Sequence, residues 1–394
     1  MRILLVGNYV LDNQLSMSRY AEFLRGQMSL RGHHVEVIRP QPVFGDIVRY
    51  PAARKWLRYI DKYLLFPLKL RARSRSFDLV HICDHSNSVY LPYTAGRPAS
   101  ITCHDLLAIA SARGCYPQQK ISSTGKLQQR WIRKHLAHAA SVVCVSRNTA
   151  NEFAEHVSRG PSLTVIPNPL GLSGGQTTQQ SVEQLRDRLG LRANENYLLH
   201  VGGNHWYKNR IGVLRIYQAL RRQLHDSGVP ELHLVMAGEP FTPQMRDFVN
   251  AHSLQASVIE VSGPTDEDLR ALYTGAAALL FPSLYEGFGW PIIEAQSCGC
   301  PVITSNRPPM TEVAGDSALF VEPENEQAAA AYIAANLRRL PSLREASLRN
   351  VSRFEPGRIA LQYETFFASV AHCHTLDAAS PQTDSAYEER SRNL

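Results

Sequence analysis

Two glutamates stand beside a glycine-rich loop in residues 281–304, whose sequence is FPSLYEGFGWPIIEAQSCGCPVIT. The apolar residues before the loop predict a short buried strand, and Pro291 suits the first turn of a helix. The free N–H groups at the start of such a helix favour a bound phosphate. Glu286 in the loop and Glu294 in the helix accept hydrogen bonds, so sugar hydroxyls are their obvious partners. An anion held between two acceptors of hydroxyl groups describes a nucleotide sugar.

The start of the chain predicts the scaffold for this loop. Residues 2–6 predict a first strand, residues 16–30 a helix and residues 32–38 a second strand. This β-α-β start predicts an α/β protein with a parallel sheet and helices on both faces. No GxGxxG motif follows the first strand, which argues against a dinucleotide-dependent dehydrogenase.

Two more polar groups follow predicted strands, where ligands bind in parallel sheets. His104 comes directly after a predicted buried strand at residues 100–103. Lys208 opens a helix shortly after a strand at residues 197–201 that ends in glycines, among them Gly203. The alternatives are a histidine that satisfies a loop and a solvated lysine at a helix start.

One stretch of the sequence predicts a linker between domains, and another predicts the start of a helix. Residues 171–180, GLSGGQTTQQ, have the composition of a linker between domains. Thr265 is followed by three acidic residues, which predicts the N-cap and first turn of a helix.

Length and composition limit the class of protein. A chain of 394 residues is about twice a typical domain, so we expect two domains. No apolar run approaches the roughly 18 residues of a membrane span, and residues 1–10 resemble a strand more than a leader peptide. Seven cysteines without paired CxxC motifs suit a reducing compartment. We therefore expect a cytoplasmic protein.

The positive charge of the chain is concentrated in residues 46–76. This basic segment holds nine lysines and arginines against two aspartates, which accounts for the whole net charge of +7. Aromatic residues, including Trp56, Tyr59 and Tyr63, recur among the cations at helical spacing. The pattern fits a helix on an anionic membrane surface, at the inner face, and equally a helix docked on the sheet with snorkelling arginines. Nothing else in the sequence indicates a nucleic-acid partner.

The Glu-x7-Glu spacing, with PSLY before it and GCPVITS after it, resembles the retaining glycosyltransferases of family 4, which have the GT-B fold. The resemblance implies two Rossmann-like domains whose parallel sheets face an interdomain cleft. It divides the chain into an acceptor domain at residues 1–172, a nucleotide-sugar donor domain at 173–355, a helix crossing back at 356–373 and a disordered tail at 374–394.

The same resemblance implies a metal-independent, cofactor-free hexosyltransferase that moves a sugar from a UDP- or GDP-sugar to a glycan or lipid-linked glycan, as in surface polysaccharide assembly. Glu294 should bind the ribose, Glu286 the transferred sugar, and His104 should close the site from the other domain. Lys208 should stabilise the departing diphosphate. Backbone groups along the donor complete the site: Gly287, Phe288, Gly289 and Trp290 at the diphosphate, Gly203 in the phosphate loop, and Pro264 beside the base.

The sequence departs from the family pattern at two places. Leu15-Ser16 replaces a glycine pair before the first helix, and Gly203 stands where the family has an arginine. Arg210 or the loop amides are the candidates to compensate. A sugar-nucleotide epimerase and a non-catalytic sugar-nucleotide-binding scaffold remain the alternatives.

Overall fold

The computed structural model describes residues 1–12, 14–44, 51–171, 175–192, 195–226 and 232–379. Its strands form two six-stranded sheets in which neighbouring strands are parallel. The first sheet contains β1 Arg2–Val6, β2 His34–Ile38, β3 Leu79–Ile82, β4 Ala99–Cys103, β5 Ser141–Cys144 and β6 Ser162–Val165, in the order β2-β1-β3-β4-β5-β6. The second contains β7 Asn196–Gly202, β8 Leu232–Gly238, β9 Val258–Ser262, β10 Ala278–Phe281, β11 Val302–Ser305 and β12 Ala318–Val321, in the order β12-β11-β10-β7-β8-β9.

Helices cover both faces of each sheet. Those of the first half are α1 Leu15–Leu30, α2 Pro51–Ile60, α3 Phe66–Ser74, α4 Leu107–Ala112, α5 Ser123–Ala137 and α6 Arg147–His156. Those of the second half are α7 Gln179–Arg188, α8 Arg210–Asp226, α9 Pro243–Ala251, α10 Asp266–Gly275, α11 Trp290–Ser297, α12 Met310–Ala314, α13 Glu326–Asn336, α14 Leu343–Val351 and α15 Pro356–Ala379. A π-helical turn, Asp61–Leu65, joins α2 to α3, and short 3-10 segments lie at Val10–Asp12, His85–Tyr93, Trp206–Lys208, Leu337–Ser342 and Ser352–Phe354.

Strand β1 shows why the sheets are buried on both sides. Successive side chains of a strand point to opposite faces. Leu4 and Val6 pack into one core with α3 and α5, while Ile3 and Leu5 pack into another with α1 and α15. A strand buried on both faces therefore needs consecutive apolar residues. A strand with one solvent-exposed face would need only alternating apolar and polar residues. The predicted α/β class with two parallel sheets is confirmed.

Helix α15 is longer than the sequence indicated. We expected it to end at residue 373 and the tail to begin at 374, but the helix continues to Ala379. Its Tyr363 and Phe367 are buried in a core of the first sheet, so the chain returns to its first half after completing the second. Residues 380–394 of the predicted tail lie outside the described residues. The same holds for residues 46–50 of the basic segment, and for residues 172–174, which include the predicted domain boundary.

The basic segment forms the predicted helix, interrupted by the π-helical turn. Phe66 and Leu70 are buried against the first sheet, whereas Trp56, Leu64 and Leu68 are mostly exposed. One face is therefore docked on the sheet and another presents apolar side chains to solvent. In the described part of the chain, no helix has both the length and the apolar character needed to cross a bilayer.

Candidate active site

The glycine loop between β10 and α11 lies against the first half of the chain. A side chain on Gly287 would overlap the carbonyl oxygen of His104 and would come within 2.9 Å of Asp105 Cβ. The carbonyl oxygen of Gly287 accepts hydrogen bonds from Ser146 Oγ at 2.9 Å and Thr149 Oγ1 at 3.1 Å. The missing side chain thus lets the two halves meet at this loop.

Helix α11 begins as the sequence predicted. Gly289 is its N-cap, with φ of 104° in the left-handed region, and Pro291 lies in the first turn. The aromatic residue between the glycines points away from the cleft: Phe288 is 4% exposed and packs edge-on against Phe354. A role for Phe288 in donor binding is therefore restricted to its backbone.

Lys208 and Glu286, which are far apart in sequence, form a largely buried ion pair. Lys208 Nζ lies 2.7 Å and 3.0 Å from the two carboxylate oxygens of Glu286, which is 7% exposed. The ammonium also lies 5.3 Å from the ring centroid of Phe281 at the end of β10. The structure thus places the predicted cation beside the glycine loop.

The Lys208 loop is fastened to the end of β10 by its neighbours. Asn209 has φ of 54°, a left-handed conformation that asparagine tolerates better than most residues. Its Nδ2 donates to the carbonyl of Pro282 at 3.0 Å, and Leu284 N donates to the carbonyl of Tyr207 at 2.7 Å. The position of the cation relative to the glycine loop is therefore fixed through the backbone.

Glu294 lies on the second turn of α11 with a buried partner. Tyr273 on α10 donates its hydroxyl to Glu294 Oε2 at 3.1 Å. The carboxyl group is partly exposed at the cleft, but the dense protein around it desolvates the charge, and burial raises its pKa. This hydrogen bond orients the carboxyl group of Glu294. The sequence analysis missed Tyr273, because a tyrosine in a helix has no local signal for a carboxylate partner.

His104 has a defined tautomer. Its Nε2 lies 2.9 Å from the carbonyl oxygen of Cys83, which only accepts, so Nε2 carries the proton. Burial lowers the pKa of the ring and favours the neutral form. Nδ1 is buried and has no partner among the described residues. The ring lies edge-on to Tyr20 at 4.7 Å and stacks near Trp290 at 6.4 Å, so its acceptor atom lies where the halves meet.

The phosphate loop carries a carboxylate near the position of the family arginine. A Cβ on Gly203 would lie 3.3 Å from the carboxyl group of Glu239, which accepts a hydrogen bond from Asn204 N at 2.7 Å. Arg210 is 4% exposed, donates to the carbonyl of Glu239 at 2.8 Å and lies over the ring of Phe241. Arg210 therefore stabilises the backbone of this loop through the carbonyl of Glu239.

Three glycines meet at the far end of the second sheet. Gly263 N donates to the carbonyl of Gly238 at 2.9 Å, and a side chain on Gly238 would overlap the carbonyl oxygen of Gly202. The ends of β7, β8 and β9 are thus brought together by glycines. Pro264, the predicted base-side residue, is half-buried next to them.

Further hydrogen bonds join the two halves of the chain. These contacts were not predicted from the sequence. Glu312 accepts from Arg147 N at 2.9 Å, at the start of α6. Tyr285 donates its hydroxyl to Glu152 at 2.7 Å and accepts from Leu106 N at 3.2 Å. No local sequence pattern reveals a partner in the other half of the chain.

Comparison with known proteins assigns both halves. The family described as "Glycosyl transferases group 1" matches residues 181–347, and "Glycosyltransferase Family 4" matches residues 17–173. The chain belongs to the group 1, family 4 glycosyltransferases, so the sequence resemblance is confirmed. A solved structure of sucrose-phosphate synthase from Thermosynechococcus elongatus aligns with a TM-score of 0.73 at 20% identity, over 96% of this chain and all (100%) of that one. The GT-B fold is thereby confirmed.

Two relatives are similar in sequence. The O-antigen chain mannosyltransferase B of Escherichia coli is 27% identical over 68% of this chain and 67% of its own length. The GDP-mannose:cellobiosyl-diphosphopolyprenol alpha-mannosyltransferase of Xanthomonas oryzae pv. oryzae is 28% identical over 79% of each chain.

Proposed function

We propose that this protein is a retaining hexosyltransferase that moves a sugar from a nucleotide sugar to a glycan in surface-polysaccharide assembly. The observation that carries the proposal is the pair Glu286 and Glu294, placed before and within the start of α11, with Lys208 bound to the first. GDP-mannose is the favoured donor, because one relative is named for that donor and others are named mannosyltransferases.

In this proposal the chain provides a preorganised site for the leaving diphosphate. Lys208 and the N–H groups of residues 287–290 stabilise the negative charge as the glycosidic bond breaks. Glu294 accepts hydrogen bonds from the ribose, Glu286 from the transferred sugar, and Nδ1 of His104 from a sugar hydroxyl on the opposite side. Lys208 and the N–H groups at the start of α11 supply the positive charge that a metal ion would otherwise provide. Retention follows if a donor phosphate oxygen takes the acceptor proton on the face that the diphosphate leaves.

The donor site is tested by calorimetry with GDP-mannose, UDP-glucose and an ADP-sugar. We expect one base to bind, and Glu294→Gln to weaken that binding roughly tenfold to a hundredfold, the effect of losing hydrogen bonds to a charged group. Glu345→Gln is the matched control, since that side chain is almost fully exposed on α14. Equal affinity of Glu294→Gln and the unaltered protein would remove the ribose-binding role.

A binding protein without turnover is the competing function, and one observation favours it. The carboxyl group of Glu239 lies beside Gly203, where a cation would help to bind a diphosphate. Nucleotide binding without transfer to any acceptor would support that function. An epimerase would instead change the sugar nucleotide and leave the acceptor unaltered.

We also propose that the acceptor is carried by a lipid and that the protein works at the inner face of the membrane. The exposed apolar side chains of α2 and α3 stand among the cations of the basic segment. Such a surface binds anionic headgroups and the interfacial zone together. A relative named for a diphosphopolyprenol acceptor supports the same view.

Membrane binding is tested by co-sedimentation with phosphatidylglycerol vesicles. We expect binding at low salt that falls as salt rises, because charge attraction is screened. Replacing Leu64 and Leu68 together by serine should reduce the bound fraction several-fold, since about 2 kcal/mol or more of apolar burial is lost. Leu348→Ser, on an exposed site of the other half, should have no effect. Absence of binding at low salt would contradict the proposal.

A further inference from the structure

A groove of about 510 Å³ lies between the π-helical turn and α5, on the first half of the molecule. Tyr59 and Tyr63 line one side, Leu127 and Trp131 of α5 line the other. Leu127 is 67% exposed and Trp131 38% exposed. A concave surface with open apolar walls is the shape of a small-ligand site rather than of an ordinary solvated face.

The walls of the groove are held in place by contacts between rings. Trp56 lies 5.8 Å from Tyr59, Tyr59 lies 5.6 Å from Tyr63, and Tyr63 lies 5.0 Å from Trp131. The hydroxyl of Tyr63 accepts a hydrogen bond from Gln128 Nε2 at 3.0 Å, which satisfies its polar atom at the edge. The rings of Tyr59, Tyr63 and Trp131 thus give the groove apolar walls.

The rim of the groove is cationic. Arg130 and Lys134, one helical turn apart on α5, line it, and α5 contains no acidic residue. Apolar walls beside two cations fit an amphiphile, that is, an apolar chain that ends in an anionic group. A flat membrane surface is contacted instead by outward-facing side chains such as Leu64 and Leu68, whereas a concave groove receives a single chain.

The groove also adjoins loops at the cleft. Asp61 of the π-helical turn accepts from the hydroxyl of Tyr9 at 2.9 Å, and Lys62 lies 2.6 Å from Asp12, both partners lying in the loop after β1. On the other side, Ser88 in the segment after β3 donates to the carbonyl of Ile132 in α5 at 2.9 Å. An amphiphile in the groove would therefore sit next to the carboxyl ends of strands in the acceptor half.

We infer that this groove binds the first isoprenoid units of a polyprenyl-diphosphate-linked acceptor, with Arg130 and Lys134 at the diphosphate. The inference rests on the proposed function, because it names the carrier of the acceptor. It assigns a role to α5, because α5 forms the wall of the groove opposite the basic segment.

The test is calorimetry of the full chain with farnesyl diphosphate, in the presence of saturating GDP so that the donor site is filled. We expect binding that Leu127→Gln and Arg130→Gln each weaken by roughly tenfold, the effect of losing one well-placed side chain from a site. Inorganic diphosphate should bind much more weakly and should not respond to Leu127→Gln. Leu30→Gln, at an exposed leucine of α1 that does not line the groove, is the control and should bind as the unaltered chain does.

The inference is overturned if farnesyl diphosphate does not bind. It is also overturned if Leu127→Gln leaves the binding of farnesyl diphosphate unchanged. Loss of vesicle binding in Leu127→Gln without any farnesyl diphosphate binding would also overturn it, because α5 would then be only part of the membrane surface. The donor titrations are separate. A chain that binds GDP-mannose but no farnesyl diphosphate loses only the groove, whereas one that binds no nucleotide sugar loses the proposed transferase.

Discussion

Replacing Lys208 by methionine should lower kcat roughly 100- to 1000-fold and should change the affinity for the nucleotide sugar much less. The reason is that negative charge grows on the diphosphate as the sugar leaves, so a fixed ammonium stabilises the transition state more than the bound donor. The loop contacts of Asn209 and Tyr207 position that ammonium beside the glycine loop. Steady-state kinetics with the donor identified by calorimetry, together with its Kd, measure both effects.

The control for this substitution must deal with the ion pair. Lys208→Met leaves the carboxylate of Glu286 buried without its partner, which costs about 3 kcal/mol of unfolding free energy. The double variant Lys208→Met/Glu286→Gln removes the unpaired charge and should recover most of that stability. Lys208→Arg keeps a cation and should retain more activity than Lys208→Met. A normal kcat in Lys208→Met would exclude Lys208 from leaving-group stabilisation.

The sequence predicted the parts of the site that are encoded locally. The strand, loop and helix around Glu286 and Glu294 follow from an apolar run, two glycines and Pro291. Thr265 caps α10 as expected, and Asp268 completes a capping box that bonds back to it. In each case the residues that determine the geometry are within a few positions of one another.

The remaining parts depend on residues that are distant in sequence. The partner of Glu294 is Tyr273 on the preceding helix, and the partner of Lys208 is Glu286 in another loop. The exposed wall formed by Leu127 becomes visible only when α5 lies beside the basic segment. Secondary-structure propensity and hydrophobic periodicity carry no information about these long-range contacts. The order of the strands in the sheets determines them.

Gly203 and Arg210 show a further limit of sequence reasoning. The sequence left open whether Arg210 replaces the missing cation of the family. In the structure, Arg210 is directed to the carbonyl of Glu239 and to the ring of Phe241, so it stabilises the loop backbone. In the proposed site, the direct contact with the diphosphate therefore falls to Lys208 and the amides of α11.

Replacing Gly287 by alanine should lower kcat/KM by on the order of 100-fold. The reason is that displacing reacting groups by about 1 Å reduces the rate by about that factor. The backbone of Gly287 is outside the left-handed region, so alanine is allowed within the second half by itself. Its Cβ, however, would overlap the carbonyl oxygen of His104 and approach Asp105. The clash is with backbone, which cannot rotate away, so the halves must separate.

This variant distinguishes closure of the cleft from binding of the donor. In the proposed function the nucleotide is bound by the second half, so its Kd should change only a few-fold, and thermal unfolding of the protein should change little. Small-angle scattering should show a larger radius of gyration with donor bound than in the unaltered chain. Gly26→Ala is the control, because a Cβ there has no neighbour within 4 Å and alanine favours helix α1 by about 0.5–1 kcal/mol. If Gly287→Ala kept full activity, contact between the glycine loop and His104 would not be part of the working state, and transfer would have to occur in a more open cleft.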